Sequence, residues 1–331
     1  MPDRLTSEQE IIACLTALTG GCEGAFALTD DAALLSPPEG HDLVLTTDAV
    51  AAGIHYLPDD GPADIAWKAL AVNLSDLAGK GASPLGYQMA LSFPEAPARS
   101  WMEAFAAGLG EVQARFGGRL LGGDTDRRPG PLTVTITMIG TVPRGAFVRR
   151  GTARAGDALY VSGHLGEAAL GLRLRQGPLP AAEWGLSAEE IRALAQRYVR
   201  PEPRLGLGPA LRAHASAAMD LSDGLLKDLG RMAAASGVGA QLDLRKLAMQ
   251  PFVASLLSHR PQLVESIVAG GDDYEILAAV PADHAAEFEL EVRATGVAVS
   301  RIGVVDTSGT ITIRGLDGEV MEMPRRGWDH F

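Results

Sequence analysis

The sequence predicts an α/β or α+β protein built as two domains, and three observations carry that expectation. The chain of 331 residues is long enough for two units that each bury a core. Amphipathic helical stretches and runs of β-forming residues alternate along most of its length. A basic, turn-rich stretch from Pro143 to Gly156, carrying Arg144, Arg149, Arg150 and Arg154, breaks that alternation near the middle. It sets the expected domains at 1–145 and 146–331.

The elements follow in order. Ser7 and Glu10 read as a capping box ahead of Ile11, Ile12, Leu15 and Leu18 at helical spacing. Gly20 and Gly21 break that helix, and Ala25 to Leu35 follows as a short strand and loop holding Asp30 and Asp31. DLVLTTDAV (42–50) is a strand ending near Asp48. Asp64 caps a helix to about Lys80, on which Asn73, Asp76 and Lys80 share one face. A second helix covers 100–116, and 119–123 is a short strand that hands Asp124 to a loop. PLTVTITMIGTV (131–142) alternates Thr with larger apolar residues, as a strand with two unlike faces does.

Beyond the boundary a strand at 158–162 leads to a helix at 166–176. Ser187 and Glu190 form another capping box, opening a helix to about Tyr198 that Pro201 and Pro203 terminate. A helix at 204–213 precedes MDLSDGLLKDLG (219–230), which reads as a strand end, an acidic turn and a helix start. GGDDYEIL (270–277) enters a strand reaching Pro281; a helix to about Thr295 and closing strands complete the chain. No repeat period is present.

Composition narrows the function. A net charge of −12 argues against a nucleic-acid surface. Cys14 and Cys22 form neither a disulfide framework nor a metal pattern. There is no apolar run near the ~18 residues of a membrane span and no leader-like start, so the expected location is the cytoplasm and no membrane partner is expected.

The common nucleotide loops and the hydrolase and zinc motifs are absent. What recurs is Asp among small residues: Asp30-Asp31, Thr46-Thr47-Asp48, Asn73 to Asp76, Gly122 to Thr125 and Asp220 to Asp223. Any one of these is most simply a cap or an Asx-turn. Asp76 stands out, because a carboxylate inside an apolar helix is costly unless partnered. Together the segments offer oxygen ligands for hard cations such as Mg²⁺, Ca²⁺ or Mn²⁺, with glycines that let a phosphate approach the backbone.

The ordered set resembles the thiamine-monophosphate kinase family of the aminoimidazole-ribonucleotide synthetase-like superfamily. The stretches that carry the resemblance are DDAALL (30–35), LTTDAVAAGIHYL (45–57), DIAWKALAVNLSDLAGKGASP (64–84), LLGGDT (120–125), RRGTARAGDALYVSGHLGEAALGL (149–172), RPEPRL (200–205), MDLSDGLLKDLG (219–230), GGDDYEIL (270–277) and GWDHF (327–331). The resemblance implies an N-terminal sheet that forms a homodimer interface, a C-terminal α/β sandwich and a site in the cleft between the domains. It implies transfer of the γ-phosphoryl of ATP directly to thiamine monophosphate, assisted by several Mg²⁺ ions.

Carried over position by position, the metal ligands are Asp31, Thr46, Thr47, Asp48, Asp76, Asp124, Asp220 and Asp223. Gly123, Asp124, Arg150 and Ser222 contact the nucleotide, and His55, Asp272 and Trp328 contact thiamine monophosphate. No residue is assigned as a general base. Three departures stand against the family pattern: Thr29 replaces a glycine, Asp272 replaces a glutamate, and Asp126-Arg127-Arg128 lengthens the segment after Asp124. The alternatives are a sibling enzyme of the aminoimidazole-ribonucleotide synthetase or selenophosphate synthetase type, for which Cys22 beside Gly20-Gly21 is a faint echo, and a non-catalytic nucleotide-binding regulator.

Overall fold

The computed structural model describes residues 3–177, 179–322 and 327–328. It divides into two compact units, one of residues 1–77 with 82–145, the other of 78–81 with 146–331.

The first unit opens with α1 (Glu8–Leu15). Ser7 Oγ accepts from Glu10 N, but the Glu10 carboxylate reaches back to Thr6 N rather than to Ser7 N, so the expected box is half formed. The strand expected near Asp30 is absent. Phe26, Ala27 and Leu28 hold positive φ of 47°, 53° and 61°, which coils the chain left-handed before Thr29, and bends follow from Asp30 through Ala32. Two backbone bonds, Thr29 N to Phe26 O and Leu34 N to Gly24 O, hold this turn, and neither exists in an extended chain.

Four strands follow: β1 (His41–Ala51), β2 (Ser83–Phe93), β3 (Leu120–Arg127) and β4 (Thr133–Pro143). They order as β1-β4-β2-β3, antiparallel except for the parallel β2–β3 pair. On β4 buried and half-buried residues alternate, the pattern of a sheet covered on one side. The covering helices are α2 (Pro62–Gly79) and α3 (Arg99–Phe116). Leu77 of α2 packs where a side chain at Gly140 would stand, and Gln113 of α3 donates to the Tyr87 hydroxyl. Asp124 does not fall in a loop: it is in β3, paired with Ala90.

The second unit contains β5 (Ala158–Ser162), α4 (Glu167–Arg175), α5 (Leu179–Trp184), α6 (Ala188–Val199), α7 (Gly208–His214), β6 (Ala217–Asp220), α8 (Leu225–Ser236), β7 (Gly239–Asp243), α9 (Pro251–His259), α10 (Val264–Ala269), β8 (Ile276–Val280), α11 (Ala285–Ala294), β9 (Val299–Asp306), β10 (Ile311–Arg314) and β11 (Val320–Met321). The Ser187–Glu190 capping box forms in full. The seven strands order as β11-β10-β7-β9-β5-β8-β6. Every residue of β5, β6 and β8 is buried, so both faces are covered. Leu159, Val161, Met219 and Leu277 pack with α8, α9 and α10 on one side; Tyr160, Ala218 and Ile276 pack with α7 and α11 on the other. Among the described residues no helix is long and apolar enough to cross a membrane.

Candidate active site

In the first unit β1 sorts its polar residues by alternation. Val44 and Val50 are buried on the helix side, which puts Thr46 and Asp48 on that side too. Thr46 Oγ1 donates to Asp76 Oδ2 on α2, so the carboxylate deep in this apolar helix, well past Asp64 in its first turn, has the partner its position demands. Asn73, one turn earlier and fully buried, accepts from Asp48 N at 3.1 Å and donates to Ala69 O. It locks the backbone at Asp48 to the helix.

Thr47 points to the opposite face, where its hydroxyl meets Thr137 Oγ1 at 3.0 Å. That face carries a cavity of about 700 Å³, lined among others by Asp31, Gln88, Gly123, Asp124, Thr135 and Thr137. A side chain at Gly123 would collide with Met89 O, so β3 can lie this close to β2 only with glycine there. The first unit therefore gathers Thr46, Asp48 and Asp76 on one face of the sheet, and Asp31, Thr47 and Asp124 on the other, where the Gly123 backbone also borders the cavity. Sequence reasoning missed Gln88, Thr135 and Thr137; the alternation of Thr along 131–142 was the signal for the two threonines. His55 follows β1 with Nδ1 accepting from Ala51 N, which leaves the ring proton on Nε2.

In the second unit three segments meet through backbone hydrogen bonds. Asp220 ends β6 and is 8 % exposed. Ser222 O accepts from Asp272 N at 2.8 Å, and Leu221 exchanges bonds with Tyr274 N and Glu275 O. Asp272 and Tyr274 hold positive φ of 63° and 51°, a strained form for side-chain-bearing residues. The bonds to Leu221 and Ser222, with the Tyr274 hydroxyl on Asp272 Oδ1, hold the strain in place. Trp328 N donates to Asp223 O at 3.0 Å, and Lys227 Nζ donates to Trp328 O. Glycine is needed at 327, because a Cβ there would stand 2.6 Å from Asp223 O. Trp328 is 42 % exposed. Arg150 is an exposed residue near the start of this unit. Asp329, His330 and Phe331 of the expected terminal motif lie outside the described residues.

Asp223 faces two cations, Arg231 Nη2 at 2.6 Å and Lys227 Nζ at 3.4 Å. Next to this site Asp273 is fully enclosed, with Oδ1 accepting from Gly166 N and Oδ2 without a hydrogen bond. Burial pushes its carboxyl well above the usual range, against the pull of that bond. The folded state thus keeps a proton that the unfolded chain releases above about pH 4. Stability from this group is lost as pH rises from there toward the raised folded value. Asp273→Asn keeps the acceptor and removes the titration, so thermal midpoints compared across pH should shift in the variant's favour as pH increases. A constant offset between the two proteins would show that Asp273 does not retain its proton.

Among the described residues no three His, Cys, Asp or Glu side chains stand together as a preformed metal cage. The donors present are carboxylates and hydroxyls in ones and twos. That set fits Mg²⁺, which is held by a few carboxylates together with substrate phosphates.

Comparison with known proteins defines the class first. Residues 29–142 match the AIR synthase related protein N-terminal domain family, and residues 154–315 match its C-terminal domain family. The thiamine-monophosphate kinase of Caulobacter vibrioides is 41% identical over 329 residues, covering 98% of this chain and 91% of that protein. The crystal structure of thiamine-monophosphate kinase from Stenotrophomonas maltophilia superimposes with a TM-score of 0.83 at 38% identity, covering 95% of this chain and 98% of that one. AaThiL complexed with AMPPCP and TMP gives 0.76 at 29% identity, covering 91% of each chain. The chain belongs to the thiamine-monophosphate kinase family, and as a member of it is a kinase.

Proposed function

We propose that the protein transfers the γ-phosphoryl group of ATP to the phosphate of thiamine monophosphate, giving thiamine diphosphate. The observation that carries this reading is the convergence of the Asp220–Asp223 turn, the Asp272 loop and Trp328 through direct backbone bonds. A carboxylate for cations, a carboxylate for a positively charged ring and an exposed aromatic ring are thereby held within one small region of the second unit. The AaThiL relative, complexed with AMPPCP and TMP, supports the same pair of ligands.

Both reactants are phosphates and repel each other, so the reaction needs in-line positioning and charge neutralisation more than a covalent catalyst. Bound Mg²⁺ would supply that neutralisation, held by Asp31, Thr46, Thr47, Asp48, Asp76 and Asp124 of the first unit and Asp220 and Asp223 of the second. Gly123, Asp124, Arg150 and Ser222 are proposed to hold the nucleotide. His55 donates from Nε2 to thiamine monophosphate. Asp272 and the Trp328 face receive its thiazolium, which carries a fixed positive charge. A phosphate monoester is largely dianionic near neutral pH, so the acceptor needs no general base. Asp272 is one methylene shorter than the family glutamate; its positive φ and the Tyr274 hydroxyl fix where the shorter side chain points. The first unit is proposed to pair with a second copy through its sheet, where Leu43 and Leu45 of β1 are exposed.

The test is a coupled assay of purified protein with ATP, Mg²⁺ and thiamine monophosphate, with thiamine as control. Thiamine diphosphate formed from the monophosphate alone is the expected result, and no product would overturn the proposal. Trp328→Ala should raise KM for thiamine monophosphate about tenfold, the loss of ~1.4 kcal/mol of stacking and cation–π attraction. KM for ATP should stay within about twofold; a loss confined to ATP affinity would remove the stacking role.

A further inference from the structure

We infer that Asp228 is the positioning residue that shapes the Asp220–Asp223 turn. It sits one turn into α8 and is fully buried. Its Oδ2 accepts from two consecutive backbone groups, Ser222 N at 3.1 Å and Asp223 N at 3.0 Å. Its Oδ1 accepts from Arg231 Nη1 at 2.7 Å, and the other Nη of Arg231 reaches Asp223 Oδ2 at 2.6 Å.

Two neighbouring N–H groups aimed at one point make a concavity that binds anions. Left open, this one would compete for a phosphate oxygen. Asp228 fills it from inside the protein, so both N–H groups turn inward and the turn's outer face is left to side chains. Arg231 then bridges the buried carboxylate and the outer one, fixing Asp223 relative to the turn that carries it. Asp228 touches neither substrate nor proposed ion; it acts through Ser222 and Asp223. Its catalytic consequence rests on the proposed function, whereas the geometry of the turn does not.

The experiment compares Asp228→Ala, Asp228→Asn and a control, Leu229→Ala, in the buried face of the same helix. Hydrogen exchange of the peptide covering Asp220 to Asp228 is measured in the free proteins. Calorimetry gives the affinity for AMPPCP with Mg²⁺, and steady-state kinetics gives KM for thiamine monophosphate. In Asp228→Ala the Ser222 and Asp223 amides should exchange at least about tenfold faster, and AMPPCP affinity should fall about tenfold or more, as expected on losing hydrogen bonds to a charged group. KM for thiamine monophosphate should stay within about twofold. Asp228→Asn, which retains an acceptor but repels Arg231, should fall between wild type and the alanine variant, and it reads the same quantities if the alanine variant does not fold. Leu229→Ala should lose thermal stability with its AMPPCP affinity intact. Unchanged exchange in Asp228→Ala, or an equal loss of affinity in Leu229→Ala, would overturn the assignment. If wild type binds no AMPPCP, the proposed function fails, while the exchange measurement still decides whether Asp228 holds the turn.

Discussion

Asp220→Asn is expected to lower kcat by about two to three orders of magnitude, the scale of removing one preorganised group that stabilises charge in a transition state. The change is nearly isosteric. β6 would keep its pairing with β8, where Asp220 stands opposite Ile276, and Leu221 would keep its bonds to the Asp272 loop. The thermal midpoint should therefore move by no more than about 3 °C, roughly 1 kcal/mol for a unit of this size. What is lost is a charge in a position shielded from water, where electrostatic attraction is several times stronger than at the surface. Asp48→Asn should behave alike, because Asn73 holds that backbone whatever the side chain. Raising Mg²⁺ should recover only part of the rate. Near-normal kcat at saturating Mg²⁺ in either variant, measured in the coupled assay, would remove these residues from the metal ligands.

The sequence made the buried strands of the second unit easy to read, because β5 and β8 are continuous apolar runs of strand length. β2 was not read as a strand, and the register explains why. Its pairing with β4 slips between Pro84 and Gly86, and that with β3 slips at Tyr87 and Gln88, so the period of two is broken over the first half of the strand and runs clean only from Tyr87 to Phe93, a short stretch. It is nonetheless a strand, since partners on both sides supply its hydrogen bonds. Asp124 was expected in a loop because Gly-Gly-Asp-Thr-Asp has poor β propensity; parallel pairing with β2 as far as Arg127 outweighs that. The recurring Asp segments marked the candidate ligands, but not how alternation divides Thr46 from Thr47 across the sheet. Asp228 resembled an ordinary helix acid. Its role depends on a turn five and six residues earlier folding back over it, which no helical spacing encodes.

Glu275→Leu should cost the second unit about 3–5 kcal/mol, the penalty for removing one partner from a buried ion network. Glu275 is fully buried and takes four hydrogen bonds. Arg204 Nε and Nη2 grip it at 2.7 and 2.5 Å, Arg197 Nη2 reaches it at 2.8 Å, and Ser162 Oγ donates at 2.6 Å. Leucine would leave two guanidinium groups competing for Glu167 and Glu202, which lie 3.5 and 3.2 Å from them. The thermal midpoint should drop by about 6–20 °C. Arg197→Met should cost less, because Arg204 continues to serve Glu275 in its absence. The order of the two losses is thus a sharper test than either alone. Function should suffer even well below the melting temperature: Glu275 O is the acceptor for Leu221 N, so a loosened Glu275 frees the junction that fixes the Asp220 turn against the Asp272 loop. Glu275→Leu should accordingly raise KM for thiamine monophosphate in the folded protein. A midpoint within about 2 °C of wild type would mean that the two arginines find full compensation elsewhere, and that the strained Asp272 loop is held by its backbone bonds alone.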